Sequence, residues 1–355
     1  FMSDSKYIRY IFISTSIIAF ILIVIVLKTL KAIFIPLLFS LFISFMYAPL
    51  NRKLEEKNIP VLLRLIVLGF ILLVLGLIIG SLAQIGLNRF VAESPKYLYR
   101  VQEMILNVAQ SLPLSEASLL TLRRAPIDLM MLLNRISVNS LLTSAMNHFM
   151  TFFSYSLLTL FFTVFIVSDD NQLFRKIIRA LCKNKEFTDS ISVKIEKQLI
   201  LYLLNKTLIN LMSSVSSALL IFFVGVDFPI LSGMLIFIFG FIPEIGSVIA
   251  ALFPIIFCFF EFGLSWQLFV IIFSLLAINS GFGNYVEPRL MGRQFNLSPI
   301  IILCGLIFWA WVWGPVGMFI AVPLTSIINI ILIELKHFSP LTDIIAYPHP
   351  DKVKK

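Results

Sequence analysis

Apolar runs alternate with short polar stretches along the whole chain. The runs are long enough to set the architecture, because a helix crossing a bilayer needs about 20 mostly apolar residues. Such runs fall at Ile8–Leu27, Ala32–Leu50, Val61 to about Leu87, Phe149–Val167 and Leu201–Val224. Lys28 and Lys31 mark a tight turn between the first two, and Asn51–Asn58 is a polar loop after the second. From Arg89 to His148 the pattern turns amphipathic. Ser94-Pro95 reads as a helix start, and Leu98, Val101, Ile105 and Val108 recur at helical spacing. A second short helix is expected after Pro126. Asp169 to about Leu199 is polar and basic.

After Val224 the pattern changes. Pro229–Ile242 is too short to cross, breaks at Pro243-Glu-Ile-Gly246, and resumes to about Phe260. A full span, about Ser265–Asn279, and a polar loop, Gly281–Arg293, follow. Pro299–Trp311 is again short, breaks at Trp313-Gly314-Pro315-Val-Gly317, and continues to about Leu335. The two broken segments resemble each other. Pro229, Gly233, Gly246, Ala250 and Pro254 find counterparts in Pro299, Gly305, Gly317, Ala321 and Pro323 at nearly the same spacing. With one crossing between them they should enter from opposite sides. Inverted, interrupted segments point to a solute site.

These patterns predict an all-α integral membrane protein with about eight membrane segments, including two broken re-entrant hairpins in an inverted repeat. The organisation is three scaffold helices (1–88), an amphipathic extracytoplasmic region (89–148), a fourth span with a basic cytoplasmic linker (149–200), a unit carrying both hairpins (201–337) and a cytoplasmic tail (338–355).

Composition supports a lipid environment. The chain has 355 residues, 59% hydrophobic and 13% charged, with a mean hydropathy of +0.99. That is about half the charge usual for soluble domains. The net charge of +9 sits mainly in short loops, where Lys and Arg fix orientation. It is not read as a nucleic-acid footprint. Arg175, Lys176, Arg179, Lys183, Lys185, Lys194 and Lys197 mark the cytoplasmic side. Both termini follow to that side. Cys182, Cys258 and Cys304 show no paired spacing, so neither a disulfide nor a metal is expected.

Polar residues inside the apolar runs are candidates for contact with a solute or ion. Lys206, Asn210, Ser213, Ser214 and Ser217 share one helix face. They fit the wall of a water-filled path or interhelical hydrogen bonding, with Lys206 snorkelling to the interface. Glu244 stands at the first break and could carry a proton or bind a cation, or be a surface residue. Asn279, Asn284, Glu287 and Arg289 follow in the next loop and could gate, coordinate or simply pair. Asp227 and Glu261 read as solvated. Gly76-x-x-x-Gly80 suits close helix approach. There is no phosphate-binding glycine loop, zinc-protease His pair or serine-nucleophile motif, so no enzyme is expected.

Three stretches resemble the autoinducer-2 exporter (AI-2E) family of permeases. They are Gly225-Val-Asp-Phe with Phe241-Ile-Pro-Glu-Ile-Gly-Ser-Val-Ile-Ala-Ala; Asn284-Tyr-Val-Glu-Pro-Arg-Leu-Met-Gly292 with Leu297-Ser-Pro299; and Phe308-Trp-Ala-Trp-Val-Trp-Gly-Pro-Val-Gly317 with Ala321-Val-Pro-Leu. The resemblance implies a homo-oligomer in the bacterial inner membrane that exports a small polar solute, such as a furanone-type quorum-sensing signal. It needs no cofactor beyond Na+ or H+ as a coupling ion. Sodium/proton antiport is the alternative it implies. A passive channel or scaffold is the alternative from another class. Family members often carry Asn before the Ile-Pro turn and Tyr or Asn after its Pro, where this chain has Gly240 and Glu244.

Overall fold

The computed structural model describes residues 4–110, 154–169, 185–291 and 298–334. Every regular element among them is helical: α1 (Asp4–Thr29), α2 (Lys31–Glu56), α3 (Val61–Gln110), α4 (Ser154–Ser168), α5 (Lys185–Val224), α6 (Pro229–Phe239), α7 (Ile245–Phe262), α8 (Trp266–Ser280), a π-helical turn (Gly281–Val286), α9 (Glu287–Met291), α10 (Pro299–Trp313) and α11 (Pro315–Glu334). The helix expected after Pro126 and most of the basic linker lie outside the described residues. The described helices follow the predicted order along the chain. Helices α2, α3, α5, α7 and the α8–α9 stretch are long and apolar enough to cross a membrane.

Three boundaries differ from the sequence reading. Helix α2 continues through Asn51 to Glu56, so the expected loop is only a turn. Pro95 lies inside α3, which runs 50 residues unbroken, rather than starting a helix. Proline removes one backbone bond, but the helix continues, and Phe90, Tyr97 and Arg100 on either side of it contact the first hairpin. The expected loop after α8 is helical as far as Met291.

The chain divides into two compact units, each carrying one broken hairpin. The first unit holds α1, α2, α4, α5 up to Tyr202 and the α10–α11 hairpin. Here Trp313 donates its indole N–H to the Leu27 carbonyl at 2.9 Å, and the Lys28 ammonium lies 4.3 Å from the Trp311 ring centre. Arg52 on α2 pairs with the buried Glu196 on α5 at 2.5 Å.

The second unit holds α3, α5 from Leu203, the α6–α7 hairpin and α8–α9. Its core is Ile221, Ile236, Ala250, Cys258, Ile271 and Leu275. Much of α3 is apolar yet exposed, with Leu62, Phe70 and Leu77 each two-thirds open, as a lipid-facing surface requires.

Both hairpins turn on the same device. A Cβ added at Gly246 would overlap the carbonyl oxygen of Phe239. One added at Gly317 would overlap that of Trp309. In each case the helix leaving the break crosses the last turn of the helix entering it at backbone contact. Ala250 and Ala321 follow, each 1% exposed, then Pro254 and Pro323, both fully buried. Gly246 and Gly317, with the alanines and prolines after them, therefore perform the same packing task in both hairpins, whereas Gly233 faces Ser214 and Ala218 on α5 and Gly305 faces Thr325 on α11.

A buried polar face under the first hairpin

Helix α5 carries Lys206, Asn210, Ser213, Ser214 and Ser217 along one side, and all five are buried. Arm α6 lies directly on this side. A Cβ on Gly233 would come within 3.3 Å of the Ser214 carbonyl oxygen and 3.0 Å of the Ala218 Cβ. A Cβ on Gly240 would come within 2.8 Å of the Asn210 amide. Glycine at 240 thus leaves room for an amide supplied by α5, and arm α6 runs antiparallel to α5.

The contact does not satisfy all the polar groups that it covers. Asn210 Nδ2, Ser217 Oγ and, from α6, Ser232 Oγ are buried and make no hydrogen bond among the described residues. Ser214 donates to the Leu211 carbonyl at 2.9 Å. Each buried group left unpaired costs about 1–3 kcal/mol.

At one end of this face the Lys206 ammonium contacts both oxygens of Glu287, each at 2.8 Å. Asn205 donates from Nδ2 to the Leu290 carbonyl at 3.1 Å. The π-helical turn sets this up, by rotating Glu287 relative to the α8 register. Of the other candidates on this stretch, Asn279 is half-buried on α8 and Asn284 is exposed on the π-helical turn. Glu244 is exposed at the hairpin tip, with φ 57° and ψ −53°. The Ile245 N–H donates to the Pro243 carbonyl at 2.6 Å around it. This is a classic γ-turn, a rare and strained conformation for a residue with a side chain. Pro243 and Gly246 flank it. At the second break Gly314 takes φ 64° and Pro315 opens α11.

At the other end the hairpin is clamped at its base. Lys96 on α3 reaches Asp227 at 2.7 Å and Glu261 at 2.8 Å, so one ammonium holds both ends of the hairpin. The Tyr97 hydroxyl donates to Asp227 at 2.5 Å, and the Asp227 N–H donates to Glu261 at 3.2 Å. Arg100 donates to the carbonyls of Phe260 (2.9 Å) and Glu261. Burial pushes the Asp227 carboxyl up, but hydrogen bonds with Lys96, Tyr97 and Glu93 outweigh it and hold it below the ordinary carboxylate value. The solvated reading of Asp227 and Glu261 is therefore wrong, because their cation comes from a helix more than a hundred residues away in sequence. An acid at each end of a broken hairpin was the only signal that could have found this clamp. Above it, Phe90, Tyr97, Phe228, Phe253 and Phe257 stack as one aromatic cluster. Phe228 enters it from a left-handed backbone, φ 63°.

From Lys206 to Val224 α5 rises about 27 Å at 1.5 Å per residue, close to one hydrocarbon thickness of about 30 Å. The Lys206–Glu287 pair and the Lys96 clamp therefore cap opposite ends of one membrane-deep layer. Between them lies a polar surface covered by a hairpin.

Known proteins place this architecture. The profile of the AI-2E family transporter matches residues 16–337. The AI-2 transport protein TqsA of Escherichia coli K12 is 30% identical over 308 residues, 84% of this chain and 85% of the relative. A putative transport protein of Borreliella burgdorferi is 27% identical over 323 residues, 88% and 85% of the two chains. The putative transport protein YhhT of Escherichia coli K12 is 27% identical over 320 residues, 90% and 89%. With its profile matched nearly end to end, this chain belongs to the AI-2E transporter family.

Proposed function

We propose that the protein is a bacterial inner-membrane secondary transporter. In this reading it exports a small polar solute along the polar face of α5, with the α6–α7 hairpin as the moving cover. The observation that carries the proposal is the set of buried, unpaired groups between cover and wall: Asn210 Nδ2, Ser217 Oγ and Ser232 Oγ. A static interface would be expected to pair such groups or replace them with apolar ones. Groups that meet water or a solute in another state of the cycle have their partners there. The closed hairpin is then the occluded state. Relatives with transport in their names support the class, and the AI-2 in one such name makes that signal the first solute to try.

The test is flux into proteoliposomes with and without an imposed sodium or proton gradient. Wild type should move a small polar solute, and Asn210→Leu should slow it by about tenfold or more, the effect of one lost hydrogen bond to a solute. Cation exchange that disappears in Glu244→Gln would instead make the protein a sodium/proton antiporter coupled at the hairpin tip. Solute flux independent of every gradient would indicate a passive channel. A homo-oligomer is part of the proposal. Among the described residues, no other element comes within 4 Å of a Cβ added at Gly76 or Gly80, leaving that face of α3 to lipid or a second copy.

A further inference from the structure

We infer that the Lys206–Glu287 ion pair is a latch that closes one end of the α5 polar face, and that it opens when the α9 segment swings about the π-helical turn. This rests on the transporter reading above and adds to it the part that moves at this end.

Three observations meet here. Lys206 lies one helical turn from Asn210 on the same face, so its ammonium stands across the end of the row formed by Asn210, Ser213, Ser214 and Ser217. The partner carboxylate belongs to a segment with almost no hold of its own. None of residues 281–290 is buried, and Tyr285, Pro288, Arg289 and Leu290 are exposed. Polar contacts tie this segment to α5: Lys206 to Glu287, and the neighbouring Asn205 to the Leu290 carbonyl. Finally, the segment begins with a π-helical turn containing Gly281 and Gly283, where an added Cβ would meet nothing within 4 Å. Such turns interrupt the regular backbone ladder and recur at functional sites.

The physical logic favours a part that opens. A strut in lipid is better made of apolar side chains, because burying an ion pair costs desolvation that its attraction scarcely offsets. An ion pair at the mouth of a polar track is different. It re-solvates when it parts and re-forms without leaving apolar surface exposed. Opening carries the carboxylate away with α9 and frees the Lys206 side chain to leave the end of the track, while the Lys96 clamp holds the hairpin base at the opposite end.

The test needs no known solute. Cys182, Cys258 and Cys304 are replaced, Ser213→Cys is introduced, and labelling by a membrane-impermeant maleimide is timed from each face of oriented vesicles. With the latch intact, labelling should be slow from both faces. Glu287→Gln should speed it at least tenfold from the Lys206 face alone. The exchanged pair, Lys206→Glu with Glu287→Lys, should return it to the slow rate, which a merely misfolded protein would not do. Unchanged labelling in Glu287→Gln, or acceleration from both faces alike, overturns the latch. Either result is independent of the Asn210→Leu flux experiment, so a failed latch leaves the transporter reading standing, and a failed transporter reading shows as absent flux.

Discussion

At the residue scale the most constrained positions are the two glycines after the breaks. Gly246 and Gly317 face a main-chain carbonyl, which cannot move aside as a side-chain tip can. Alanine at either should force the arms apart. We expect Gly246→Ala and Gly317→Ala each to lower stability by about 1–3 kcal/mol, the usual cost of overpacking. Thermal unfolding in detergent, followed by tryptophan fluorescence, measures it. Gly80→Ala is the contrast. Its Cβ would enter open space, and a surface change of that kind should stay within about 0.5 kcal/mol. Equal losses at all three positions would mean that helix propensity, not backbone contact, explains the glycines. The breaks were legible as Pro and Gly in the sequence. The carbonyl contact was not, because a one-dimensional pattern shows where a helix stops but not how closely the next one crosses it. Asn210 shows the same limit. Its place on the α5 face follows from spacing, but its position beside Gly240 requires two helices to be docked.

At the element scale the first hairpin is held firmly at its base and lightly at its tip. Lys96 neutralises two acids at once, and its loss would leave Asp227 and Glu261 facing each other. These groups are only partly buried, with the Lys96 side chain 39% exposed, so the expected loss in Lys96→Met is about 1–3 kcal/mol rather than the larger figure for a fully buried pair. The acid side gives a sharper signature. The folded Asp227 carboxyl lies below its ordinary value, and a depressed carboxylate contributes stability above its unfolded pKa of about 3.9. That contribution fades as pH falls through the lower, folded value. Wild type should therefore lose stability below about pH 4, and Lys96→Met should show a weaker acid dependence because the cation that depresses Asp227 is gone. Parallel pH profiles for the two proteins would remove Lys96 from this role. Sequence separation hid this clamp. Lys96, Asp227 and Glu261 each looked like an ordinary interfacial charge, and the amphipathic reading of the stretch after Arg89 placed Lys96 in water.

At the scale of the whole molecule, hydropathy and charge together predict a sidedness. The basic stretch from Arg175 to Lys197 is expected in the cytoplasm, and α5 leaves it. The Lys206 end of α5 is then cytoplasmic and the Asp227 clamp external. The hairpin returns to its starting face, since its two ends are hydrogen-bonded to each other. The α8–α9 stretch then crosses back, so Leu264 and Arg289, both exposed, should lie on opposite faces. Single cysteines at these two positions, in a background without the native ones, give the test. Leu264→Cys should react with an impermeant maleimide from outside intact cells, and Arg289→Cys only after the membrane is opened. The arrangement depends on the α8–α9 stretch crossing the membrane, because α6–α7 brings the chain back to the face of Asp227 whether its arms cross fully or in part. Labelling of both positions from the same face would show that the α8–α9 stretch does not cross, and with it the placement of the Lys206–Glu287 pair opposite the Lys96 clamp would fall.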